Sequence, residues 1–109
     1  MFYRVKAKFR PETAAGLSEK LKDGTIQNQN PDGGEIIDGL NRAVVNESGQ
    51  IEFSIVCYCS TPLAHERATV LDKHFDALTT EVIEGYEEHE GRPFMDYLQE
   101  CISLKETSN

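Results

Sequence analysis

The chain has 109 residues, 39% of them hydrophobic, no Trp and a net charge of −8. That composition suits one soluble globular domain and argues against nucleic acid, whose phosphates an acidic surface repels. The same charge disfavours anionic membrane surfaces, and no segment approaches the ~20 apolar residues of a membrane span. Three cysteines form an odd set without zinc-finger spacing, so a reducing, cytoplasmic setting is expected.

Residues 2–9 alternate strictly, with Tyr3, Val5, Ala7 and Phe9 on one side and Arg4, Lys6 and Lys8 on the other. This predicts a strand with one buried face rather than a signal peptide. Pro11 then opens a helix carrying Ala14, Leu17 and Leu21 on one side, and Gly24 is a plausible stop. A polar loop follows, and Asp32 with Glu35 has the spacing of a capping pair for a short helix over 35–42. Next, "RAVVNESGQIEFSIVCYC" reads as a hairpin whose turn ends at Gly49. Its second strand carries Ile51, Phe53, Ile55, Cys57 and Cys59 on one face. Thr61 and Pro62 predict the start of a helix in which Ala64, Ala68, Leu71, Phe75 and Leu78 recur at helical spacing. "ALTTEVIE" predicts a last strand, "GYEEHEG" an acidic connection and "RPFMDYLQECISL" a closing helix. The polar tail over 105–109 is expected to fray outside an ordered core over about 2–104.

The order β-α-(short helix)-β-β-α-β-α predicts an α+β domain spanning 1–109, with helices on one face of an antiparallel sheet and an extra C-terminal helix. The first strand is then central, and Arg4, Lys6 and Lys8 lie beside Glu52 and Glu81 of its neighbours. This arrangement resembles the ferredoxin-like, split β-α-β fold over residues 2 to about 86. Many small proteins of that shape pair their open sheet faces into a dimeric α/β barrel with a ligand pocket between sheet and helices. The resemblance therefore implies a small-molecule ligand and a homodimer.

The stretch "VCYCSTPLAHERA" is the first candidate for chemistry. On a strand, Cys57 and Cys59 point to the same apolar face, where free Cys packs as a small hydrophobe. The functional alternative is a soft-metal site at Cys57 and Cys59, or a reactive thiol where Cys59 reaches the strand's end. A helical wheel places His65 opposite Leu71 and Phe75, away from the thiols. His74, between Val70 and Phe75, falls at the edge of the apolar stripe and is the candidate acid or base. The run Glu84, Glu87, Glu88 and Glu90 has no calcium-loop spacing and is expected as solvated surface. Phosphate-binding and dinucleotide glycine patterns are absent.

Three functions compete. The leading one is a small-molecule site lined by Tyr3, Tyr58, Cys59 and His74, in a binding domain or a cofactor-independent enzyme. The second is a non-catalytic homodimeric or partner-binding module using Phe94, Met95 and Tyr97 of the closing helix. The third is thiol or metal chemistry at Cys57 and Cys59.

Overall fold

A computed structural model of the chain describes residues 1–29 and 31–107, with side chains described as far as residue 104. Of the expected tail over 105–109, residues 105–107 continue the closing helix and 108–109 lie outside the described residues. Strand β1 (Phe2–Phe9) buries Tyr3, Val5, Ala7 and Phe9, the four residues that the alternation assigns to the core. A 3-10 turn (Pro11–Thr13) leads into α1 (Ala14–Lys22), which ends at Gly24 with φ +88°. Helix α2 (Gly33–Arg42) follows, then β2 (Val44–Val45) and β3 (Ile51–Val56). The intervening turn is held by Asn46, whose Oδ1 accepts from the backbone N–H groups of Ser48 and Gln50, each at 3.0 Å.

The helical segment over 64–74 has three parts: α3 (Ala64–Glu66), a π-helical turn (Arg67–Leu71) and α4 (Asp72–His74). It starts later than Thr61 and Pro62 predict. Leu63 takes a left-handed φ of +57°, which turns its side chain fully into the core. The segment also ends earlier than the apolar spacing predicts. Phe75 opens strand β4 (Phe75–Ile83) directly after His74, and its ring packs on Phe9 and Phe94. Leu78 still packs against the core as Phe75 does, because a register irregularity in β4, with Ala77 at a left-handed φ of +52°, shifts the strand's alternation between them. A short strand β5 (Arg92–Pro93), which the sequence does not suggest, precedes α5 (Phe94–Thr107).

The sheet is antiparallel with order β4-β1-β3-β2-β5. Its first four strands have the order expected of the split β-α-β arrangement, with β1 central, and β5 extends the β2 edge. Arg4 lies opposite Glu81 and Lys6 opposite Glu52. Arg4 bonds Glu81 at 2.9 Å, and Lys6 reaches Glu52 at 3.9 Å. Such cross-strand pairs add about 0.2–1 kcal/mol each to the pairing.

The core lies between the sheet and its helices. Leu17 of α1, Ile36 and Leu40 of α2, Leu71, and Phe94 and Leu98 of α5 all pack there. No helix among the described residues is long and apolar enough to cross a membrane.

The opposite sheet face is crossed by the connection over 84–91, which runs from β4 at one edge to β5 at the other. Glu87 bonds Arg4 at 2.6 Å and His89 Nε2 lies 2.7 Å from Ser54 Oγ. Tyr86 sits edge-on to Phe2, under the Arg42 guanidinium. The acidic run is therefore a strap on the sheet, tied by named side chains, as well as a solvated surface.

Candidate functional site

Strand β2 is short, so it pairs with β3 only at Ile51 and Glu52. Beyond that point the outer edge of β3 needs other partners for its polar backbone. Helix α2 supplies them. Glu35 Oε2 accepts from the Val56 N–H at 2.8 Å, and the Arg42 guanidinium donates to the Ser54 carbonyl at 3.1 Å. This explains why the capping pair does not cap. Glu35 is committed to β3 and to the Tyr86 hydroxyl at 2.6 Å, while Asp32 Oδ2 lies 2.5 Å from His65 Nδ1. The N-cap position has no side-chain hydrogen bond. Burial and the bond to Glu35 raise the Tyr86 hydroxyl above its ordinary pKa.

The result is a pocket of about 240 Å³ between the start of α2, the end of β3 and α3. Pro31, Val56 and the Tyr58 ring form apolar walls. Asp32, Glu35, His65 and Glu66 supply polar groups, and Cys57 and Cys59 complete the lining. Asp32 is 9% exposed, and its Oδ1 is buried without a hydrogen-bond partner among the described residues. The backbone at His65 also accepts from Thr69, whose Oγ1 donates to the His65 carbonyl at 2.8 Å. The π-helical turn begins one residue after Glu66 and widens the helix next to the pocket.

Cys57 continues the line of β3 by donating its N–H to the Met1 carbonyl, and it is buried. The chain then bends so that the Cys59 N–H lies 3.3 Å from Cys57 Sγ. Glu66, 1% exposed, brings Oε1 to 3.5 Å from Cys59 Sγ. Burial, and then the hydrogen bond toward Glu66, push the Cys57 thiol up to about 12. A thiol in that state is protonated and is a poor nucleophile.

The four ligand candidates read from the sequence do not share one cavity. Tyr58 and Cys59 line the pocket, with Tyr58 88% exposed at its rim. Tyr3 belongs to the core on β1. His74 is buried at the end of α4, where Nε2 lies 3.2 Å from Lys20 Nζ and Nδ1 has no partner among the described residues. Burial, followed by the charges of Lys20, Arg10 and Lys73, lowers its pKa to about 4. His65, set aside from the thiols by the helical wheel, instead stands at the pocket through its pairing with Asp32.

Glu66 is the residue that sequence reasoning passed over. A signal was available: Leu63, Glu66 and Val70 recur at i, i+3 and i+7, which places a carboxylate on the buried stripe. Asp32 and its contact with His65 had no such signal, since 33 residues separate the two.

The chain matches no protein-family model, no curated protein and no solved structure.

Proposed function

We propose that this protein binds a small molecule in the pocket formed by Pro31, Asp32, Glu35, Val56, Tyr58 and His65. The observation that carries this reading is the buried Oδ1 of Asp32 in the pocket wall, which has no hydrogen-bond partner among the described residues. A buried acceptor left without a donor costs about 1–3 kcal/mol, and a ligand's donor would remove that cost. Three carboxylates line the cavity, so its occupant carries a donor or cationic head, and the apolar walls suit a short apolar body. At about 240 Å³ the volume lies below the range of drug-sized ligands. The Asp32–His65 pair has the geometry to take up or deliver a proton, with the carboxylate orienting the ring. All three cysteines are free, which suits a reducing setting such as the cytoplasm.

The test is chemical-shift mapping of the full chain with a set of small amines and alcohols. Shifts confined to 31–35, 56–59 and 65–66, and lost in Asp32→Asn, are expected. Shifts clustered instead around His74 or α5, with none near Asp32, would remove the reading.

The dimeric-barrel arrangement is less well supported. Pairing of open sheet faces would have to displace the 84–91 strap from Arg4 and Ser54. On the closing helix Leu104 is exposed and Met95 and Tyr97 are half-buried. Phe94 is fully buried, and Met95 and Tyr97 pack against the core.

A further inference from the structure

Below the walls of the pocket lies a second chemical feature. One ligand atom from each of Cys57, Cys59 and Glu66 lies within 4.8 Å of the other two. The three residues come from two separate elements: the thiols from the end of β3, the carboxylate from α3. Their convergence depends on the fold, because Glu66 follows Cys59 only after the left-handed turn at Leu63.

The surroundings make this convergence chemically demanding. Glu66 is 1% exposed, and among the described residues the thiols of Cys59 and Cys57 approach its carboxylate. A thiol is a weak donor, and a buried carboxylate with only weak donors is poorly compensated. The packed neighbours Leu63 and Val70 offer no polar group from their side chains. His65, which lines the same pocket, turns its Nδ1 to Asp32. A bound cation would supply what these groups lack.

We propose that Cys57, Cys59 and Glu66 form a three-donor site for a borderline-soft divalent cation of the zinc class, with a fourth position open to the pocket. Two sulfur donors exclude calcium and magnesium, which take oxygen ligands. The carboxylate in turn disfavours monovalent copper, which prefers an all-soft set. Tetrahedral zinc with sulfur at ~2.3 Å and oxygen at ~2.0 Å separates its donors by about 3.5–3.8 Å. The observed spread of up to 4.8 Å closes to that with side-chain movements of about 1 Å.

On binding, both thiols give up their protons to solvent and become thiolates, and no electrons move. With the Glu66 carboxylate the donor set carries three negative charges against two positive, a net −1 at the centre. Three protein donors and an open position match the pattern of sites that bind a substrate or water at the metal. This inference rests on the pocket reading only for its fourth position; the three donors stand without it.

The experiment uses the full chain, stripped with a chelator, kept reduced with a phosphine, and titrated with Co²⁺. One equivalent of metal and a sulfur-to-cobalt charge-transfer band in the near ultraviolet are expected, both displaced by Zn²⁺. Glu66→Gln should weaken Co²⁺ binding at least about tenfold, and Cys59→Ser should abolish most of the band, while Cys101→Ser leaves it intact. Should Glu66→Gln fail to fold, the partly exposed Cys59 keeps the test available. Absence of a charge-transfer band in the reduced wild-type chain, or a band undiminished in Cys59→Ser, overturns the proposal. Fragment shifts at Asp32 that persist without any metal binding would reject the metal and leave the pocket. Metal binding without fragment shifts would reject the pocket and leave the metal.

Discussion

His74 ends α4 with its ring among cations: Lys20 at 3.2 Å, with Arg10 and Lys73 nearby. Its pKa of about 4 keeps it neutral in the folded chain at neutral pH. Unfolding returns the imidazole to an ordinary pKa of about 6.5. Between these values the unfolded chain binds the additional proton, so stability rises with pH through the window and is complete above it. On the order of 3 kcal/mol is therefore lost as pH falls from 7 to 4. His74→Asn should flatten that part of a stability-against-pH curve measured by urea unfolding. An unchanged slope would show that the ring keeps an ordinary pKa in the fold. Asp32 and Glu35 illustrate another residue-scale point: an acidic pair at capping distance was claimed by tertiary partners on two other elements.

Among the elements, β3 and α2 depend on one another. The strand outruns its short neighbour β2, and two side chains of α2 complete its edge. Glu35→Ala should leave the Val56 N–H without its acceptor, at a cost of about 1–3 kcal/mol, while the exposed Tyr86 hydroxyl turns to water. Urea unfolding and faster amide exchange at Val56 would report it; exchange unchanged at Val56 would mean that water replaces Glu35 there. The approach of α2 is set from its first residue. A Cβ on Gly33 would lie 2.0 Å from the Ile26 carbonyl oxygen, so only glycine lets α2 start where Asp32 and Glu35 reach their partners.

At the scale of the whole molecule, the 84–91 strap crosses the open face of the sheet and ties its two edges together. It ends at Gly91, with φ +151°, where a Cβ would lie 2.2 Å from the Val45 carbonyl oxygen. Gly91→Ala should lift the strap from β2, lower stability by about 1–3 kcal/mol and increase protease cleavage within 84–91. Far-UV circular dichroism should be preserved, because the core on the other sheet face does not involve the strap. Cleavage at the wild-type rate would show that the strap is held by Arg4, Ser54 and Tyr86 alone.

What the sequence by itself determined is the layered α+β architecture. Alternation in 2–9 and 51–56 and the stripes of α1 and α5 report burial through local periods, and charge pairing of Arg4 and Lys6 with Glu81 and Glu52 agrees with the strand order. It also singled out Cys57, Cys59 and Tyr58, three of the residues now found around one pocket. Only the tertiary structure decided which groups join them. Asp32, His65 and Glu66 meet across elements that no local period links, and a left-handed turn at Leu63 sets Glu66 beside the thiols. Periodicity records how far each residue lies from water, whereas a site depends on which distant residue lies beside it.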